Sequence, residues 1–415
     1  MATLTPYEPS AALIRVTASN CCAGCGLCAS IAPKALAIQN SNDGFLRPHQ
    51  FAALTAAEES TFAKTCPGIS VKSKAASELN NEIDDHYLWG PTVAVRVGFS
   101  TDAALRRHAS SGGAISALLT HLLHIKAVDF VVQVGPSTHS PIENEVFRNI
   151  DADAIYNSAG SRYAPSAPMQ QIVQLLDLPE KFVLVGKPCD IAAARALARI
   201  DPRVDQKIPY MISFFCAGVP SRKGSVKILS ALGLTEQEVG TFQYRGDGWP
   251  GFATARTTDG QTERMTYADS WGNILSKEVQ FRCKICADGV GGQADVVCAD
   301  AWECNEEGYP HFEETDGHSL IVSRTSNGEK LVREALALKV IEAKDFSIEA
   351  ISTIQPSQAK RKRQVVARTT AMQVLGMKPT RYENLHIWRA ACSAGLAENF
   401  RGFFGTLRRL VSRKI

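Results

Sequence analysis

Long apolar stretches are missing from this sequence. No run approaches the roughly 20 residues needed to cross a bilayer, and the opening MATLTPYEPSAALIRVTASN lacks the basic-then-apolar order of an export signal. A cytoplasmic protein is the expectation. A strong charge of one sign is missing too: 45 Lys and Arg face 42 Asp and Glu, for a net charge of +3, which argues against a nucleic-acid partner for the whole molecule. There is no internal repeat, no low-complexity tract and no G-x-G-x-x-G after a strand, so a bound nicotinamide dinucleotide is not expected. Gly289-Val290-Gly291-Gly292 follows a cysteine pair instead and reads as a tight turn. What the sequence does hold is cysteine, 12 residues of it. A reducing compartment keeps thiols free, which favours metal binding over disulfides.

Cys22, Cys25 and Cys28 form C-x-x-C-x-x-C, with Gly24 and Gly26 between them. Three thiolates this close suit a 4Fe-4S cubane, because each short loop returns to the metal and glycine lets amides face the sulfides. The alternative is structural zinc, which favours two separated C-x-x-C pairs. In two-cluster ferredoxins the triplet is followed, after three intervening residues, by Cys-Pro, and that cysteine serves the other cluster. Here the position is Ala32, with Pro33 kept, while Cys66-Pro67-Gly68 preserves a Cys-Pro further on. Cys66 is therefore the expected fourth ligand of a single N-terminal cluster. Cys21 is its rival, but it adjoins Cys22, and neighbouring side chains point apart. A second group is scattered: Cys189 and Cys216, each ending an apolar run, and the pair Cys283 and Cys286. Residues just past the C-terminal ends of parallel strands lie where α/β sheets place ligands, so these four could converge. The alternative is that Cys189 and Cys216 are ordinary buried thiols.

Residues 1–75 read as a small metal-stapled unit and 76–92 as a polar, acidic linker. From Val93 onward, strand-like runs such as VAVRVGF, VDFVVQV, KFVLVGK and YMISFFC alternate with helical patterns, which predicts βαβ units on a mainly parallel sheet. Thr258-Asp259-Gly260 between two alternating runs predicts an antiparallel hairpin. The fold class is α/β. Residues 356–415 form a basic tail. Between Arg381 and Ile415, Leu396, Phe400, Phe403, Leu407 and Leu410 recur at helical spacing among basic residues, predicting an amphipathic helix that contacts a membrane surface or partner, or docks on the body.

The segments SSGGAISALLTHLL, AGSRYAPSAP, VGKPC, FFCAG, CKIC and ADVVCAD resemble, in the same order, the coenzyme F420 hydrogenase/dehydrogenase beta subunit family, over roughly residues 95 to 380. That family includes reductases of chlorophyll intermediates and binds FAD and a 4Fe-4S cluster. The resemblance implies an N-terminal-type FAD domain over 93–178 and a C-terminal-type 4Fe-4S and FAD domain over 179–355. It implies Cys189, Cys216, Cys283 and Cys286 as cluster ligands, and a ferredoxin-like extension over 1–75. The whole then reads as a ferredoxin-like iron-sulfur unit followed by a mixed α/β flavoprotein body with two 4Fe-4S clusters and FAD. Lys187 and Asp190 beside Cys189 depart from the hydrogenase subunit, which is uncharged there. Cys298, Cys304 and Cys392 match no ligand motif and read as structural.

Ser110-Ser111-Gly112-Gly113 precedes an apolar helix, where free amides without bulky side chains can approach a phosphate. Read alone it is an ordinary helix cap; the resemblance assigns it, with Gly160, Ser161, Arg162 and Tyr163, to FAD. Tyr163, His108 and Arg162 are the candidates for proton transfer. Tyr244 to Gly251, rich in glycine, reads either as a loop over the flavin or as a plain turn. A flavin converts between a two-electron substrate and one-electron clusters, so the expected partners are a ferredoxin or other one-electron carrier and an organic or deazaflavin substrate. Alternatives are an electron-transfer subunit of a larger complex and a zinc-stabilised binding protein; a homo-oligomer is compatible with either.

Overall fold

The computed structural model describes residues 7–80, 82–302 and 314–412. Cys304 lies outside them. The body is built on an eight-stranded mixed sheet. In chain order its strands are β1 (Ala94–Ser100), β2 (Phe130–Pro136), β3 (Asn144–Asn149), β4 (Phe182–Val185), β5 (Tyr210–Phe214), β6 (Val296–Asp300), β7 (Ser319–Ser323) and β8 (Ile341–Asp345). Their spatial order is β8-β1-β7-β6-β5-β4-β2-β3. The central strands β6, β5, β4 and β2 are parallel, with Ile212 of β5 opposite Val185 on one side and Val296 on the other. The outer pairings are antiparallel.

Phe182-Val183-Leu184-Val185 is apolar at every position because both faces of the parallel centre are covered. Val131, Val183, Ile212 and Val296 pack under helices Ala114–His124 and Ser326–Ala337. Phe130, Phe182, Leu184 and Met211 pack on the other face under helix Pro188–Ala198. The hairpin expected at Thr258-Asp259-Gly260 joins Phe252–Thr257 to Thr262–Thr266, and with Val239–Gln243 makes a separate three-stranded antiparallel sheet.

The N-terminal unit contains helix Ala11–Ala18, a short helix Leu27–Ile31, the hairpin Leu36–Asn40 with Leu46–Gln50, and helix Ala56–Thr65. A Thr55/Glu58 capping box starts the last helix, each side chain bonding the other's backbone amide. The unit is not a separate bead on a linker. Segment 76–92 carries a small antiparallel pair, Asp84–His86 with Gly90–Thr92, and buries Leu88 and Trp89. Its polar composition hid those two anchors.

The C-terminal residues clamp the two parts together. Strand Arg381–Glu383 pairs in parallel with Ser70–Lys72 of the N-terminal unit, and Leu410 and Met372 share a core with Cys22, Cys28 and Phe62. Helix Leu396–Val411 lies on helix Val365–Val374, with Gly402 against Ala367 and Gln364. The apolar spacing read from sequence is split between two faces: Leu410 is buried, while Leu396 and Phe400 stand 78% and 59% exposed. No helix among the described residues is long and apolar enough to cross a membrane.

Candidate functional site

The first thiol set is shaped by glycine. Gly24 and Gly26 adopt φ of 73° and 91°, the left-handed region closed to most side chains. A Cβ at Gly26 would also stand 2.9 Å from Gln170. The turn this allows brings Cys22, Cys25, Cys28 and Cys66 onto one hollow, with Pro48, Phe62 and Pro67 completing its wall. Backbone amides of Leu27, Ala29, Gly68 and Ile69 point at these sulfurs. Burial, then Asp190 and the neighbouring thiols, pushes Cys25 far up; burial and the other thiols do the same to Cys28, and lift Cys66 to about 12. Cys21 is also buried, but its thiol donates to Ser19 O at 3.3 Å and faces Thr380 and Arg282.

The second set comes from three separate segments. Cys189 is the second residue of helix Pro188–Ala198, which starts well because Pro188 sits at its first position and the Asp190 carboxylate accepts from Lys187 N at 2.8 Å. Cys216 follows the end of β5, its amide donating to Gly289 O at 2.8 Å. Cys283 and Cys286 flank the end of the turn Phe281–Lys284. Val219 N donates to Cys283 Sγ at 3.4 Å, and Arg361 donates to Cys216 O at 2.6 Å. The four sulfurs interact with one another, and burial raises Cys189 and Cys216. All four cysteines are partly accessible. Among the described residues, no three His, Cys, Asp or Glu side chains close on one point as they would around a single metal ion. Cys298 is buried on β6, where burial alone raises its thiol to about 12. Cys392 is exposed.

A cleft of about 320 Å³ opens at the C-terminal ends of β2, β4, β5 and β6, the end where parallel sheets bind ligands. Ser110, Ser111, Gly113, Gly160, Ser161, Arg162 and Tyr163 all line it, and so do Lys187, Asp190 and Cys216. Ser110 Oγ and Ser161 Oγ are 2.6 Å apart, tying the two segments together. Gly112 is not part of the lining. Its amide donates to Ser319 Oγ at 3.0 Å, and a Cβ there would lie 2.7 Å from Gly98 O, so this glycine serves backbone packing and its amide is already engaged. Gly113, at φ 73°, is the cap of helix Ala114–His124.

The proton-transfer candidates fare differently. Arg162 is committed to structure, donating to Asn144 Oδ1, Phe242 O, Pro141 O and Glu143 O. His108 stacks on Tyr156 and pairs with Asp247 at 3.2 Å, away from the cleft. Tyr163 is in the cleft wall, its ring against Tyr244 and Trp271.

Sequence reasoning missed the far wall: Tyr267, Trp271, Asp300 and Trp302. Asp300 ends β6 as Cys216 follows β5, so the end of the VVCAD run was the available signal. Arg245 grips Asp300 at 2.8 and 2.7 Å while Trp249 Nε1 donates to it at 3.1 Å. Tyr244 to Gly251 is therefore a loop braced behind this wall, with Trp249 against Trp302. On the other side Lys187 Nζ contacts Asp190 at 2.8 Å and Ser166 Oγ at 2.9 Å, fully inside the fold. Burial opposes the Lys187 charge, but Asp190 and the Cys189 and Cys216 thiols outweigh it and hold its value above the usual one. Asp190 Oδ1 is buried without a partner.

Two family models match: coenzyme F420 hydrogenase/dehydrogenase beta subunit N-term over residues 95–174, and its C terminus over 179–349. Relatives include the F420-dependent formate dehydrogenase subunit beta of Methanocaldococcus jannaschii, 23% identical over 64% of this chain and 71% of that one. The coenzyme F420 hydrogenase subunit beta of Methanothermobacter thermautotrophicus is 24% identical over 68% of this chain and 95% of its own. The coenzyme F420-dependent sulfite reductase of M. jannaschii is 22% identical over 86% of this chain, which spans only 52% of that relative. A chain of the F420-reducing [NiFe] hydrogenase complex from Methanosarcina barkeri shares the fold, with TM-score 0.52, 22% identity and coverage of 69% of this chain and 96% of that one. With both halves of the body matched in order, the chain belongs to the coenzyme F420 hydrogenase/dehydrogenase beta subunit family.

Proposed function

We propose that the chain is an iron-sulfur flavoprotein oxidoreductase, holding FAD in the cleft and a 4Fe-4S cluster in each thiol set. The observation that carries this is the shared wall: Cys216 and Lys187 line the same cleft as Ser110, Gly160 and Ser161. The residues fit the groups. Two left-handed glycines and several amides surround a hollow bounded by four thiols, while the cleft joins a helix start and paired serines to an aromatic wall. When bound, FAD exchanges a hydride with an organic substrate and single electrons with the clusters.

The chain's own groups have definable tasks. The start of helix Ala114–His124, beside Ser110 and Ser161, offers amides and hydroxyls to a pyrophosphate. Tyr163, Trp271 and Trp302 give flat apolar faces for a ring system, and the Arg245–Asp300 pair fixes the last of these. Lys187 supplies a buried positive charge where negative charge would accumulate. The substrate is an organic acceptor or a deazaflavin, and the outer partner a ferredoxin or similar one-electron carrier. Anaerobically purified protein is expected to show a broad visible absorption bleached by dithionite, about eight irons per chain, and FAD released on denaturation. Colourless, zinc-containing protein would refute the reading. A second reading, an electron-transfer subunit of a larger complex, is favoured by the relatives named as subunits; co-purification of a large redox partner would select it.

A further inference from the structure

We propose that the outward face of helix Leu396–Val411 is a docking surface for an anionic lipid bilayer, which the chain meets from one side without crossing it. The inference goes beyond the redox reading above and does not depend on it.

The helix has two apolar faces, and the protein uses one of them. Gly402, Thr406 and Leu410 turn inward, with Gly402 over Ala367 and Gln364 and Leu410 in the core shared with the N-terminal unit. Leu396, Phe400, Phe404 and Val411 follow at intervals of four, four and seven residues, so they fall on one line along about 22 Å of helix. Each of the four is more than half exposed. The rings of Phe400 and Phe404 stack with centroids 6.3 Å apart, forming a continuous aromatic ridge. Val374 and Leu375 add exposed apolar surface at the end of the neighbouring helix, where Met372 shares a core with Leu410. Contiguous exposed apolar surface of this kind marks a contact with a partner or a membrane.

Positive charge borders the ridge. Arg401 and Arg408, seven residues apart, are exposed beside it and have no carboxylate within ion-pair distance among the described residues. Behind them Arg409 donates to Thr406 Oγ1, and Arg368 donates to Lys284 O and Gln364 Oε1, so neutral oxygens serve these cations. Burial, and after it the charges of Arg409 and Arg361, brings Arg368 down to about 10, while burial and Arg408 lower Arg409. Lys284 faces Arg409 and Arg368 as well. What opposes them is the Cys283 thiol and Glu278 beside Lys284, and Glu398 beside Arg368. Glu278 is already paired with Lys227 at 2.6 Å, and Glu398 accepts from Gln364 at 3.2 Å.

Three occupants compete for such a face. A second copy packed antiparallel sets Arg401 of one chain near Arg408 of the other, with no carboxylate on the ridge to offset them. A folded protein partner must supply a groove shaped to a convex row of side chains. A lipid surface meets both features at once: acyl chains conform to the ridge, and anionic headgroups meet the arginines along its border.

The test is flotation of the full-length, anaerobically purified protein with vesicles of phosphatidylcholine alone and of phosphatidylcholine with phosphatidylglycerol. The protein is expected to float with the second and not the first, and to be released as salt rises. Phe400→Ser combined with Phe404→Ser should lower partition onto the anionic vesicles about tenfold or more, and Arg401→Gln and Arg408→Gln about fivefold for each arginine removed. All four side chains are exposed, so these variants keep the melting temperature of the unaltered protein. No flotation with anionic vesicles overturns the inference, as does flotation that is equal on both lipids or unchanged in the phenylalanine variant. Dimers, or a bound acidic protein, lost in that variant without any flotation also overturn it. The readout is lipid binding, so each of these failures leaves the proposed function standing, and colourless, zinc-containing protein that floats overturns that function alone.

Discussion

Replacing Cys66 and Cys21 one at a time separates a ligand from a bystander. Cys66 lies at the end of helix Ala56–Thr65 and lines the hollow with Cys22, Cys25 and Cys28. Cys21 is fully buried behind it and donates to Ser19 O. Cys21→Ala removes one sulfur from a packed core and one weak hydrogen bond, a cost of about 1 to 2 kcal/mol. That lowers the melting temperature and leaves four thiols around the hollow. Cys66→Ala costs little packing because the residue is partly accessible, but it removes one of the four thiols proposed to hold a cluster, and a cluster's binding energy is also folding energy for the unit around it. The expected result is loss of about half the iron and sulfide in Cys66→Ala and full iron in Cys21→Ala. Iron and sulfide per chain, read with melting curves of the same full-length samples, decide it. Full iron in Cys66→Ala with iron lost in Cys21→Ala would refute the assignment.

Gly112→Ala should be poorly tolerated, because its Cβ meets the backbone at Gly98 O and Ser319 N, both at 2.7 Å. A loss of about 2 kcal/mol or more is expected, and an unchanged melting temperature would contradict it. Glu329 gives a pH test: burial would raise its carboxyl, but hydrogen bonds from Arg96 and Arg333 bring it down to about 2. A depressed carboxyl stabilises above its ordinary value and loses that contribution as pH falls from about 4.5 toward 2, so Glu329→Gln should cost ~1 to 2 kcal/mol at pH 7, discounted because its partner Arg333 is exposed, and progressively less in that acid range. A mutant deficit that is constant with pH would show that packing, not charge, is lost. Ending the chain at Pro379 removes strand Arg381–Glu383 and the buried Leu410. Limited proteolysis should then cut within residues 7–72 much faster, and equal protection would mean the clamp is dispensable.

The thiol sets were readable to the extent that their geometry is local. The Cys22 triplet repeats every three residues and a short glycine-rich turn returns each thiol to one place, so spacing alone carried it. Cys189 and Cys216 were readable as ends of apolar runs, because a parallel sheet delivers strand ends to one edge. Gly112 was misread: its neighbour across the turn is Ser319, and no local pattern reveals that a distant hydroxyl has taken its amide. The aromatic wall failed for the same reason, since Tyr267 and Trp302 stack on each other beside Arg245, and the three come from separate segments. The tail was read as a helix that either meets a membrane surface or partner or docks on the body, and its strand went unseen because three residues have no periodicity and their partner at Ser70–Lys72 lies some three hundred residues away.

The packing between the two parts bears on how electrons could cross the molecule. Met169 N donates to Cys25 O at 2.9 Å, Arg47 donates to Gln280 at 3.0 Å, and Arg282 reaches Pro67 O, so the loops carrying both thiol sets are bonded directly to each other. Cys25 and Leu27 even belong to the same apolar core as β4 and helix Pro188–Ala198. A carrier domain on a flexible linker would have to dock for each transfer, with its interface left polar and separable. Here the interface is core, sealed by a parallel strand pair and by Leu410, and its opening would expose Cys21, Phe62 and Phe281. The separation of the two sets is thus fixed by the fold itself. Arg282 and Asp190, each facing thiols of both sets, make the electrostatics of one set depend on the charge of the other.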